Sequence, residues 1–231
     1  MLRVKCGGVS VKGHRAVNQD SFAARVFEWG AVAVVADGLG SCRFSQMGSD
    51  AVCDIVADIT EKSGGLFEIN TLLAEIHRLW LEKMAALMRQ ASMENAEICD
   101  FYTTCLFCVK TKDEVIAVRL GDGFICVVNE DSETVLYDEK EDSFANLTHC
   151  LCEDFQPGLW QIEKTNGLNF RGVVLATDGL LIGEGSPEDM AGFSREFCDG
   201  YRNDDDIENH IFTWLADWPG GDDKTISFII A

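Results

Sequence analysis

Two apolar runs that end in Asp-Gly constrain this chain most. The first is Ala31-Val32-Ala33-Val34-Val35-Ala36-Asp37-Gly38, and the second is Gly172-Val173-Val174-Leu175-Ala176-Thr177-Asp178-Gly179. Each reads as a buried strand that projects a carboxylate from a rigid edge. The glycine that follows lets backbone come close to whatever the carboxylate holds. Two such edges, far apart in sequence, can meet in space. Carboxylates and carbonyls brought together suit hard, oxygen-seeking cations such as Mg²⁺ or Mn²⁺.

The rest of the chain reads as strands, then helices, then strands. A strand runs to Val11, and Ser21–Phe27 and Gly30–Ala36 form a pair around Glu28-Trp29-Gly30. Met47, Ala51, Val52, Ile55, Val56 and Ile59 repeat at helical spacing, and Ser63-Gly64-Gly65 stops that helix. A second helix spans Glu68 to Ala91. Thr103–Lys110, Glu114–Leu120 and Phe124–Asn129 predict a meander, with Lys112-Asp113 and Gly121-Asp122-Gly123 as its turns. Further strands are expected at Thr134–Tyr137, Leu159–Lys164, Gly172–Thr177 and Thr225–Ile230. Further helices are expected at Pro187–Phe197 and Asp205–Trp218. The order predicts an α+β protein built on mostly antiparallel sheets, not alternating βαβ units. With 231 residues, three prolines and no linker-like stretch, one domain over 1–231 is the expectation.

Charge and cysteine content narrow the function classes. With 39 acidic and 19 basic residues, the chain carries a formal charge of −20. Such a chain does not hold nucleic acid or an anionic membrane by bulk electrostatics. A phosphorylated substrate would need local cations. No run approaches the roughly 18 apolar residues of a membrane span. The start, Met1-Leu2-Arg3-Val4-Lys5-Cys6-Gly7-Gly8, lacks the apolar stretch of a signal peptide. The ten cysteines therefore read as reduced, mostly buried thiols of a cytoplasmic protein. Cys105-Leu106-Phe107-Cys108 has the spacing of half a zinc site, but it lies in a strand and reads as core. Cys150-Leu151-Cys152 makes no convincing metal pair.

Three more segments carry candidate chemistry. Gly13-His14-Arg15-Ala16-Val17-Asn18-Gln19-Asp20 offers an arginine for an oxyanion and a carboxylate for a metal or its water. Gly220-Gly221-Asp222-Asp223-Lys224-Thr225 precedes the last strand. Leu120-Gly121-Asp122-Gly123 places another aspartate at a strand end. Any one of these is an ordinary turn sequence taken alone. Asp204-Asp205-Asp206 reads as a helix start or a solvated loop, and His77, His149 and His210 as surface or core residues. His14 adjoins Arg15 and could contact substrate.

Taken in order, these segments resemble the metal-dependent serine/threonine phosphatases of the protein phosphatase 2C (PPM-type) family. Arg15-Ala16-Val17-Asn18-Gln19-Asp20 resembles R-x-x-N-x-D, and Asp37-Gly38-Leu39-Gly40 resembles D-G-x-G. Gly48-Ser49-Asp50-Ala51 resembles the helix start that follows. Thr103-Thr104-Cys105 resembles a G-S/T-T-x strand start, with Tyr102 in place of glycine. Gly121-Asp122-Gly123 resembles G-D-S, Thr177-Asp178-Gly179-Leu180 resembles S-D-G-L, and Asp222-Asp223-Lys224-Thr225 resembles D-N-x-T.

The resemblance implies a central antiparallel β-sandwich flanked by helices, in four layers α/β/β/α, with two Mn²⁺ or Mg²⁺ ions at one end. Carried over by position, Asp37 bridges the two ions and Gly38 offers its carbonyl. Asp178 and Asp222 complete the first ion's ligands, Asp20 holds metal-bound water, and Arg15 binds the substrate phosphate. Metal-activated water would then attack the phosphorus of phosphoserine or phosphothreonine on a protein, without a phosphoenzyme. A monomer opposing a serine/threonine kinase is the expected setting. Gln19 stands where some members carry a glutamate ligand of the second ion. Leu39 stands where some carry a histidine acid. Asp122 could serve a third ion, although Ile182 stands where that site would want an acid, with Glu184 as a substitute. A catalytically weak phosphoprotein-binding module and a small-molecule phosphoesterase are the alternative readings.

Overall fold

The computed structural model describes residues 4–90, 93, 95–138, 148–180 and 185–231. The described residues form two five-stranded sheets, and every pairing within them is antiparallel. One sheet contains, in spatial order, β1 (Lys5–Val11), β10 (Lys224–Ile230), β9 (Phe170–Ala176), β6 (Phe124–Asn129) and β7 (Glu133–Leu136). The other contains β2 (Asp20–Val26), β3 (Gly30–Asp37), β4 (Cys105–Thr111), β5 (Glu114–Leu120) and β8 (Gln161–Asn166). Helices α1 (Ser45–Ser63) and α2 (Ile69–Gln90) follow β3, and α3 (Pro187–Tyr201) and α4 (Ile207–Ala216) precede β10.

Three apolar layers explain why the strand sequences are so uniformly hydrophobic. Ala31, Ala33 and Val35 of β3 pack with Leu106, Cys108, Val173, Leu175 and Ile229 between the sheets. The alternate residues Val32, Val34 and Ala36 face the other way, onto Val52, Val56, Leu73 and Trp80 of α1 and α2. On the far sheet, Val174, Ala176, Ile226 and Phe228 meet Met190, Phe197, Ile211 and Leu215 of α3 and α4. The order is helices, sheet, sheet, helices, which is the four-layer α+β arrangement expected. A strand covered on both faces cannot alternate apolar with polar residues, so β3 and β9 read as continuous apolar runs.

The same geometry disposes of the cysteine pair. Cys105 lies on the helix side of β4 and Cys108 lies between the sheets, so the two thiols point to opposite faces. All ten cysteines are free, but only Cys53, Cys105, Cys108, Cys126 and Cys198 are buried. The expectation of mostly buried thiols is thus half met.

The predicted meander breaks at its second turn. β4 and β5 form the expected hairpin, but β6 pairs with β7 and β9 in the opposite sheet. Gly121-Asp122-Gly123 is therefore a crossover between sheets. Gly121 has φ of 123°, a conformation that side chains rarely adopt, and this turns the chain away from its hairpin path. Local spacing does not reveal which sheet receives the next strand.

Helix α3 begins with a side-chain cap. Ser186 Oγ accepts the Asp189 backbone N–H at 3.1 Å, and Pro187 fills the first helical position. Ser186→Ala should cost about 1 kcal/mol of stability, read from urea unfolding midpoints at unchanged slope. Among the described residues, no helix is long and apolar enough to cross a membrane.

Candidate metal centre

The end of β3 is where the two sheets present their carboxylates. Asp20, the first residue of β2, lies directly opposite Asp37, the last of β3. The backbone of Asp37 is held on both sides. Thr104 Oγ1 accepts its N–H at 2.8 Å, while Thr104 N–H and Thr103 Oγ1 donate to its carbonyl at 2.8 and 2.9 Å. Gly38 N–H donates to the Gln19 carbonyl at 3.0 Å, and Ser49 Oγ donates to that same oxygen at 2.6 Å. The aspartate is thus a fixed point on a rigid edge.

Asp178 arrives from the other sheet, in a short 3₁₀ turn after β9. Thr177 before it donates its hydroxyl to Asp20 Oδ2 at 2.7 Å and accepts the Thr225 N–H at 3.0 Å. This hydroxyl ties β9, β10 and β2 together beneath the carboxylates. Asp122 enters from the crossover, with Oδ2 accepting the Thr148 hydroxyl at 2.8 Å. Asp37, Asp122 and Asp178 then each offer a carboxylate oxygen, all within 4.8 Å of one another.

The electrostatics of this cluster are unfavourable by itself. Burial pushes Asp37 well above the usual carboxylate range, and the charges of Asp20, Asp178 and Asp122 push it further. Burial raises Asp178 too, with Asp122 the next cause. Burial raises Asp20 to about 7, although bonds from Thr177, Thr225 and Asp37 pull the other way. Among the described residues, one buried oxygen on each of Asp20, Asp122 and Asp178 has no hydrogen-bond donor. Unpartnered acceptors and crowded negative charge are what a hard divalent cation would satisfy, so the residues present fit a Mg²⁺- or Mn²⁺-type ion.

The remaining candidates sit around this group. Asp222 is not one of the three converging carboxylates; its Oδ1 lies 3.3 Å from Arg15 Nη2. Arg15 also donates to Gln19 Oε1, and Gln19 Nε2 donates to Ser45 Oγ at 2.6 Å. Gln19 therefore braces the arginine against α1. The guanidinium lies over Gly40, where any Cβ would fall 2.4 Å from Nη1. His14 joins the first loop to the last through its N–H on the Gly221 carbonyl at 2.8 Å. Ile182 and Glu184 lie outside the described residues.

His77, His210 and the acidic triplet make local contacts within the fold. Buried His77 contacts the Cys152 carbonyl at 2.9 Å through Nε2. Asp204 accepts the Asp206 N–H at 2.8 Å and meets His210 Nδ1 at 2.5 Å, just before α4.

Three supporting residues lie within the quoted motifs but carry no role in the sequence reading. Asp223 is buried and accepts Gly13 N–H and Gln19 N–H, each at 2.7 Å, which shapes the loop that carries Arg15. Thr104 and Thr177 hold Asp37 and Asp20 as described. Their adjacency to apolar strand ends was the available signal, since a buried hydroxyl there needs a partner.

Comparison with known proteins agrees with this geometry. A family model described as protein phosphatase 2C matches residues 8–218. A search of curated proteins finds no match. Among solved structures, a bacterial serine phosphatase superposes with a TM-score of 0.70 at 15% identity, covering 99% of this chain and 98% of that one. The serine/threonine phosphatase Stp1 from Staphylococcus aureus gives 0.71 at 18%, covering 100% and 96%. RsbX, crystallised in complex with magnesium, gives 0.60 at 13%, covering 98% and 94%. At these identities the structural likeness is one of fold. The family match spans most of the chain and includes the first-loop arginine and four of the five clustered or neighbouring aspartates, so the chain belongs to the protein phosphatase 2C family.

Proposed function

We propose that this chain is a Mg²⁺- or Mn²⁺-dependent phosphatase that hydrolyses phosphoserine or phosphothreonine on proteins. The observation that carries the proposal is the convergence of Asp37, Asp122 and Asp178, with unpartnered buried oxygens beside it. Family membership supports the reaction class. The serine and serine/threonine phosphatases of the same fold support the substrate class, and the magnesium complex of RsbX supports the ion.

In this reading Asp37, Asp122 and Asp178 would hold the cation, the Gly38 carbonyl and Asp222 would add oxygen ligands, and Asp20 would orient water. Bound divalent ions supply an acidified water and charge compensation for phosphoryl oxygens. The chain's own residues do the rest. Arg15, with 39% of its side chain exposed, receives the phosphate through N–H groups left free by Gln19 and Asp222. Its planar fork suits two phosphate oxygens at once. Asp223 and Gln19 keep that fork in place. Leu39 has no proton to give, so the departing seryl or threonyl oxygen takes its proton from water.

The direct test is phosphate release from a phosphopeptide in Mn²⁺ and in EDTA. Release in Mn²⁺ alone supports the reading. Equal release in both, or release from p-nitrophenyl phosphate but no phosphopeptide, overturns it. Arg15→Ala should lower kcat/KM for the phosphopeptide about 10- to 100-fold, mainly through KM. A hydrogen bond to a charged group contributes ~1.5–3 kcal/mol. Initial rates across a peptide concentration series check this.

A further inference from the structure

A buried guanidinium stands directly behind Asp122 and is not used in the reading above. Arg119 is the penultimate residue of β5, and only 5% of its side chain is exposed. Its Nε donates to the Gly123 carbonyl at 2.8 Å, and Nη1 donates to Gln161 Oε1 of β8 at 2.8 Å. Its Nη2 lies 3.9 Å from Asp138 Oδ1, just after β7. One side chain therefore links β5 and β8 of one sheet to β6 and the end of β7 in the other.

The segment between Arg119 and its first partner, Gly123, is Leu120-Gly121-Asp122, so the bond from Nε to the Gly123 carbonyl closes a short ring around Asp122. The two glycines give this loop large conformational freedom. Asp122 must nevertheless face Asp37 and Asp178, two carboxylates that repel it. A tether that fixes the loop from behind opposes both effects.

We propose that Arg119 is a positioning residue that holds Asp122 toward Asp37 and Asp178, and so sets the affinity of the centre for its cation. The inference rests on reading the aspartate cluster as a cation site. Arg119 touches neither substrate nor cation in this account. Residues that support ligands from behind typically change metal affinity 10- to 100-fold when replaced.

Calorimetric titration with Mn²⁺ tests the proposal, alongside phosphate release at low and saturating Mn²⁺. Arg119→Met should weaken Mn²⁺ binding about tenfold. Activity should be lost at low Mn²⁺ and recovered at high Mn²⁺, with KM for the phosphopeptide unchanged. Arg119→Lys, which can still donate to the Gly123 carbonyl, should recover part of the affinity. A folded Arg119→Met protein with wild-type Mn²⁺ affinity overturns the proposal. Should that variant fail to fold, Gln161→Ala decides, because it removes one partner of the guanidinium at the edge strand. It should weaken Mn²⁺ binding by about two- to threefold, a fraction of the supporting-residue effect; unchanged affinity overturns the proposal. Absence of Mn²⁺ binding by the wild-type chain overturns the underlying reading, a result distinct from a variant that binds normally.

Discussion

Asp37→Asn should reduce phosphate release on the order of a thousandfold, equivalent to ~4 kcal/mol of lost transition-state stabilisation. The substitution keeps size and shape, and the bonds from Thr103 and Thr104 are made to the backbone of residue 37, so they survive it. What changes is one negative charge, at the carboxylate that both Asp20 and Asp178 approach. An amide holds a divalent cation far less well than a carboxylate does. A second readout follows from the same charge. In EDTA, the variant should melt a few degrees above the wild type, because it removes a carboxyl whose ionisation is opposed first by burial and then by the neighbouring carboxylates. Loss of activity together with higher thermal stability marks a functional carboxylate and not a structural one. Equal rates for the two proteins would sink the assignment; lower stability of the variant would mean that Asp37 serves the fold.

The strands and helices were largely legible because their patterns are local. β5 and β6 have the bounds their apolar runs suggest, and β3 differs by one residue. Helical spacing from Met47 to Ile59 is met by α1. Sheet membership was not legible. The crossover at Gly121-Asp122-Gly123 depends on which face of which sheet still needs covering, a property of the assembled layers. Asp37 and Asp178 were legible as strand-end carboxylates. Asp122 was assigned only to an optional third ion, yet it is one of the three carboxylates that converge. That follows from the missed crossover: a hairpin turn would have held Asp122 on one sheet, whereas a crossover passes over the end of both. Gln19 stands where some family members carry a glutamate ligand, and in the structure it braces Arg15. The difference lies in a side-chain direction, which spacing along a loop does not encode.

The protein stripped of divalent ions with EDTA should be more stable near pH 5 than near pH 8, and Mn²⁺ should remove or reverse that difference. The sign follows from Asp20. Its folded value is raised to about 7, whereas an unfolded aspartate titrates near 3.8. Between these values the folded chain binds more protons than the unfolded chain, so stability falls as pH rises. The contribution is complete below the unfolded value and is lost as pH rises through the folded one. Each pH unit between the two is worth ~1.4 kcal/mol, which makes the full effect up to about 4 kcal/mol. Asp37 is raised by burial and then by the charges of Asp20 and Asp178, and Asp178 by burial and then by Asp122, so both act in the same direction. The chain's net charge of −20 also disfavours the compact state at higher pH. Asp20→Asn separates the two causes, since it removes the buried carboxyl and changes the net charge by only one. Thermal melts at pH 5 and 8, with and without Mn²⁺, should show a steep pH dependence for the metal-free wild type and a shallower one for the variant. With Mn²⁺ present, protons compete with the ion for the same oxygens, so binding and the stability it brings should rise with pH. A metal-free wild type that melts higher at pH 8 than at pH 5 contradicts this account of the buried carboxylates. Identical pH dependence in wild type and Asp20→Asn would remove Asp20 as the cause and leave the effect to Asp37, Asp178 and the net charge.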